Sequence, residues 1–135
     1  MILIVDDFQD GAYALCLFLK KTGYPSEFVT SGREALAYIR AHPREMPLLV
    51  LLDYMMPEMT GVAVLREIRA DPFISHTTVL MLSAGFDVAA RDEALILGAC
   101  AWIMKAGSVG GIDETIDAIG HWYERCGGVR CRQPD

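Results

Sequence analysis

Short apolar runs alternate with amphipathic stretches from one end of this chain to the other, and that alternation leaves few folds open. Residues 2–5 are a continuous run of branched apolar side chains, the pattern of a strand buried on both faces. Residues 9–21 follow as a helix, with Ala12, Leu15, Cys16 and Leu19 at core spacing and Gly23 as its stop. A second strand is expected over 26–30. Ser31 and Glu34 then form a capping box for a helix that ends near His42, before Pro43. Residues 48–52 make the most apolar strand; a loop containing Pro57 leads to a helix over 61–70. A strand over 78–82, a helix over 87–97 closed by Gly98, a strand over 101–104 and a helix over 112–126 stopped by Gly127 and Gly128 complete the series.

Strict alternation of this kind predicts an α/β fold: a parallel sheet with helices on both faces, joined by right-handed crossovers. Five units fit a doubly wound, flavodoxin-like sheet of strand order 2-1-3-4-5 with five helices. Residues 1–126 suffice for one domain, and 127–135 are expected to be a short disordered tail. The formal net charge of -6 disfavours direct contact with a nucleic acid. The longest apolar run, 12–19, is far short of the roughly 18 residues a membrane span needs. Nor does the start carry a basic, long-apolar and small-residue signal pattern, so a cytoplasmic protein is expected. Cys16 and Cys100 sit in apolar patterns as core thiols. Cys126 and Cys131 have neither zinc nor redox spacing, and a disulfide between them is disfavoured in a reducing compartment.

In open sheets of this kind, ligands bind beyond the carboxyl ends of the strands. Strand 1 ends in Asp6 and Asp7, strand 3 in Asp53, strand 4 in Ser83 and strand 5 in Lys105. Taken singly, each has a plainer use: a helix cap, a loop acid, a turn hydroxyl, a surface lysine. Together they predict one polar cluster at one sheet edge. Three carboxylates that close must raise at least one pKa unless a cation intervenes. A hard, oxygen-rich, anionic site suits Mg²⁺, and Lys105 and Ser83 suit the oxygens of a phosphoryl group passing to a carboxylate.

The motifs Val5-Asp6-Asp7, Leu52-Asp53-Tyr54-Met55-Met56-Pro57-Glu58-Met59-Thr60-Gly61, Leu82-Ser83-Ala84 and Trp102-Ile103-Met104-Lys105 carry a family resemblance. Over roughly residues 1–125 the chain resembles the receiver domain of two-component response regulators. The resemblance implies that Asp53 is the phosphoacceptor. Mg²⁺ would be held by Asp7, by Asp6 directly or through water, by Asp53 and by the backbone carbonyl of Met55. Ser83 and Lys105 would engage the phosphoryl oxygens, Trp102 would be the switch aromatic, and Ala84 is small, as the family needs there. The implied partner is a sensor histidine kinase or histidine phosphotransfer protein. The first helix, with Leu17 and Phe18 beyond its core stripe, is either a docking face for it or simply buried between neighbours. The implied output face runs from helix 4 through strand 5 to helix 5.

Two positions depart from the family pattern. Ala106 replaces the proline that usually follows the lysine, and a cis bond before a non-proline residue costs about 2.5–4 kcal/mol, so a trans Lys105-Ala106 peptide is expected. Met55 offers only a thioether where a side chain can orient the attacking water, which predicts slow-to-moderate loss of phosphate. A haloacid-dehalogenase-like phosphohydrolase would want a second acid where Met55 stands. A flavodoxin would want a phosphate-cradling loop where Asp6, Asp7 and Phe8 stand. The sequence therefore reads as a signalling domain rather than an enzyme with turnover; the alternative is a receiver-like interaction module that works without phosphorylation.

Overall fold

The middle strands are apolar because helices cover both of their faces. In the computed structural model, which describes residues 1–105 and 109–128 (109–111 as backbone alone), β1 (Ile2–Val5) and β3 (Leu49–Asp53) are buried at every position. They lie side by side within a five-stranded parallel sheet completed by β2 (Ser26–Val29), β4 (Thr78–Ser83) and β5 (Trp102–Met104). Its order is β2-β1-β3-β4-β5. The helices are α1 (Gln9–Lys21), α2 (Gly32–Ala41), α3 (Gly61–Ala70), α4 (Val88–Ile96) and α5 (Val109–Arg125).

Strand periodicity of two sorts the core into halves. Leu3, Val5, Val50, Leu52, Val79 and Met81 pack with α2, α3 and α4. Ile2, Ile4, Leu49, Leu51 and Leu80 face the other way, onto Ala12, Cys16 and Leu19 of α1 and Ile116, Ile119 and Tyr123 of α5. The expected class, strand order and helix count are all present. In α1, Leu17 and Phe18 stay exposed at 39% and 42%, so that helix is not buried on every side.

The boundaries shift for physical reasons. Asp53 and Ser83 are the last residues of their strands rather than the first beyond them, because Asp53 pairs with Leu82 and Ser83 with Met104. β5 starts at Trp102, one residue late, and α5 starts at Val109, a turn early. Gly110 and Gly111 disfavour helix by about 1 kcal/mol each, yet the first turn tolerates them. The capping box is only half formed as expected: Ser31 Oγ accepts from the Glu34 amide (3.1 Å), but the Glu34 carboxylate reaches the Thr30 amide (2.9 Å). The Lys105-Ala106 peptide, most of the tail and any Cys126–Cys131 bond lie outside the described residues.

Gly61 opens α3 where the chain leaves β3. Its amide donates to Tyr54 O (3.0 Å), and a Cβ there would lie 2.4 Å from the Asp53 carbonyl oxygen and 3.0 Å from Met81. Backbone cannot yield as a side chain can. Gly61→Ala should therefore cost about 1–3 kcal/mol in urea unfolding. At Gly85 an added Cβ meets nothing within 4 Å, so Gly85→Ala should stay within about 0.5 kcal/mol of the native chain.

Candidate functional site

Neighbouring parallel strands end level with one another, and four of them end in chemistry. Asp6 follows β1, Asp53 ends β3, Ser83 ends β4 and Lys105 follows β5. Asp6 is 5% exposed, Asp53 7%, and Ser83 fully buried. Each is fixed by backbone as well as by burial. The Asp6 amide donates to Val29 O (3.2 Å), the Tyr54 amide to Leu82 O (3.3 Å) and the Lys105 amide to Ser83 O (2.7 Å). The Lys105 ammonium then reaches across the sheet edge to Asp6 Oδ2 at 2.8 Å and Asp53 Oδ1 at 3.4 Å.

Asp6, Asp7 and Asp53 each offer a carboxylate oxygen within 4.8 Å of the others, and among the described residues no other such group of acids, histidines or cysteines forms. Asp6 Oδ1 also accepts from the Phe8 amide (3.0 Å), which holds the turn between β1 and α1. The structure thus brings Asp6, Asp7, Asp53 and Lys105 together. Ser83 Oγ accepts from the Gly85 amide (3.2 Å), within its own loop. Met55 lies on the loop out of β3 and is 67% exposed. Glu58 in that loop has φ 67°, a left-handed residue that turns the chain towards Thr60, whose hydroxyl caps α3 by accepting from the Ala63 amide (3.2 Å). A groove lined by Arg40, Arg44, Phe73 and His76 sits by the starts of β3 and β4 and contains none of these residues.

With this arrangement in view, a family model for the response regulator receiver domain matches residues 2–117. The chain belongs to that family. It is 37% identical over 118 residues to a probable transcriptional regulator, ycf27, of Guillardia theta, a match covering 87% of this chain and 44% of that protein. The chain therefore spans less than half the length of that relative. Among solved structures it is similar to the Francisella response regulator 1452 receiver domain (TM-score 0.76, 27% identity, 92% of this chain and 96% of that one). A CheY-like receiver domain protein from Methanospirillum hungatei, at 24% identity and TM-score 0.78 over 93% of this chain and 94% of that one, shares the fold.

The electrostatics of this receiver follow from its geometry. Three carboxylates against one ammonium leave an excess of negative charge in a mostly buried place. Burial first, and the Asp6 charge with it, pushes the Asp53 carboxyl up to about 6, although Lys105 pulls the other way. A raised pKa was expected from mutual repulsion; desolvation is the larger cause. Burial works against the Lys105 charge, but its hydrogen bond to Asp6 and the charges of Asp53 and Asp6 outweigh that and hold its pKa above the usual lysine value.

Trp102 is half-buried with its ring 5.4 Å from that of Tyr54, tilted by 52°. Its indole N–H is buried with no partner among the described residues, a cost of about 1–3 kcal/mol. Sequence reasoning gave Tyr54 no part, yet its hydroxyl donates to Asp87 Oδ2 at 3.3 Å, joining the loop after Asp53 to the start of α4. Asp87 was legible as a helix start; its contact across 33 residues was not, since no local pattern encodes it.

An acid whose folded pKa is raised holds its proton more tightly when folded. Its stabilising contribution is complete at low pH and is lost as pH rises from 3.8 through about 6. In metal-free buffer, Asp53→Asn should therefore be more stable than the native chain at pH 7.5, by on the order of 2 kcal/mol, and equal to it near pH 4. Thermal unfolding at the two pH values measures this.

Proposed function

We propose that Asp53 accepts a phosphoryl group from a histidine kinase or histidine phosphotransfer protein, with Mg²⁺ held by Asp6, Asp7, Asp53 and the backbone carbonyl of Met55. The observation that carries this reading is the buried Asp53 carboxylate, within 4.8 Å of two further carboxylates and in contact with the Lys105 ammonium. The donor set fits the ion: all oxygen, anionic and hard. Bound there, Mg²⁺ would neutralise charge on the incoming phosphoryl group and on the carboxylates around it.

The chain's own residues do the rest. A carboxylate oxygen of Asp53 forms a bond to phosphorus as the bond from phosphorus to the donor nitrogen breaks. Lys105 keeps a positive charge beside the acceptor throughout. The acyl phosphate adds strong acceptor oxygens, to which the Ser83 hydroxyl donates once it leaves the Gly85 amide. Trp102 and Tyr54, packed together next to these residues, carry the change towards α4. The transfer is a signalling event without multiple turnover.

Exposed Leu17 and Phe18 on α1, with Tyr13 beside them, support that helix as the docking face for the kinase or phosphotransfer partner. Leu95 and Ile96 of α4 and Met104 of β5 supply apolar surface on the output face. The net charge of -6 opposes direct nucleic-acid contact by this chain. Among the described residues no helix is long and apolar enough to cross a membrane, and a cytoplasmic location, where a histidine kinase or phosphotransfer partner would meet it, is part of this reading. Residues 1–126 make up the receiver in this reading.

Intact mass after incubation with a small-molecule phosphodonor tests the reading. One added phosphoryl group is expected, requiring both Mg²⁺ and Asp53 and absent from Asp53→Ala. No labelling, with beryllofluoride also failing to bind, would leave an interaction module that works without phosphorylation. The exposed thioether of Met55 predicts that the label decays over minutes or longer; a half-life of seconds would contradict that part. A generic aryl phosphate should show no multiple turnover.

A further inference from the structure

One carboxylate, that of Asp87, does two jobs. Its Oδ1 accepts from the Ala90 amide (3.0 Å) and so caps α4, while its Oδ2 accepts from the Tyr54 hydroxyl at 3.3 Å. Tyr54 is the residue next to Asp53, and its ring rests on Trp102. A single long contact therefore ties the start of α4 to the acceptor loop and to β5.

The other end of α4 is held quite differently. Arg69, on α3, donates to the carbonyls of Leu97 (2.6 Å) and Gly98 (3.2 Å) just past α4, and to those of Ser75 (2.8 Å) and Thr77 (2.7 Å) before β4. Four hydrogen bonds from one partly buried guanidinium make a firm anchor. Ahead of the latched end, where the chain passes from β4 to α4, lies the segment 83–87. Its Gly85 has open space where a side chain would stand, and Ser83 Oγ is turned to the Gly85 amide. The helix is pinned at its end and latched at its start.

We propose that the Tyr54–Asp87 hydrogen bond is a latch belonging to the resting state, and that Tyr54 is a positioning residue acting on segment 83–87 through Asp87. The inference rests on the phosphoacceptor reading. A phosphoryl group on Asp53 draws the Ser83 hydroxyl away from Gly85, the segment follows, the latch opens and α4 pivots about its Arg69-held end. A contact made only in the resting state opposes any ligand that needs the drawn-in segment, so its removal raises affinity for that ligand. Mg²⁺ alone makes no such demand.

The test uses beryllofluoride as the phosphoryl mimic, titrated at saturating Mg²⁺ with Trp102 emission as the readout. The chain has two tryptophans, and a Trp122→Phe background leaves Trp102 as the sole reporter. Tyr54→Phe should bind beryllofluoride about three- to tenfold more tightly, the range one net hydrogen bond sets, with Mg²⁺ affinity within about twofold of native. Asp87→Ser keeps an N-cap and should shift affinity the same way. The double variant should gain no more than the larger single effect. If the native chain binds beryllofluoride and Tyr54→Phe binds it equally or more weakly, or if Mg²⁺ affinity shifts in parallel, the latch is overturned. If the native chain binds none, the phosphoacceptor reading falls and takes the latch with it.

Discussion

The lysine bridge across the sheet edge is the interaction on which this site depends. Lys105, held by its amide to Ser83 O, sets one ammonium between Asp6 and Asp53, both more than nine-tenths buried. Without it two neighbouring carboxylates would share a desolvated place with no counter-charge. With it one is compensated and the cluster still carries excess negative charge once Asp7 is counted. That residue of charge is what makes the edge receptive to a hard cation, and burial is what keeps Asp53 from ionising at its ordinary pH.

The sheet exists to keep those groups level. Parallel pairing of Asp53 with Leu82 and of Ser83 with Met104 fixes how far each strand runs before its polar end. A slip of one residue would carry each side chain to the opposite face. The near approach of α3 at Gly61 and the left-handed Glu58 close the loop after β3, so the course of the chain beyond Asp53 is set by backbone.

Much of this was legible in the sequence, for definite reasons. Short apolar runs such as 49–52 are too brief for a buried helix and fit a strand covered on both faces, and alternation of those runs with amphipathic helices points to a parallel sheet. The acids, the serine and the lysine were found because sheet order alone lines up their strand ends. The misses are of other kinds. Gly110 and Gly111 read locally as loop, yet stand in the first turn of α5. Tyr54 and Asp87 meet only because β3 and β4 are neighbours. The main cause of the high Asp53 pKa is depth, which charge counting does not reveal.

If Asp53 helps to hold the cation, its proton and the cation compete for one carboxylate. Calorimetric Mg²⁺ titration in buffers of different ionisation enthalpy tests that most directly. Because Asp53 titrates near 6 in the metal-free protein, binding at pH 6 should release about half a proton, and binding near pH 8 almost none. Asp53→Asn should bind more weakly and release none at either pH. Binding without proton release at pH 6, or affinity unchanged by Asp53→Asn, would contradict the assignment of Asp53 to the cation site.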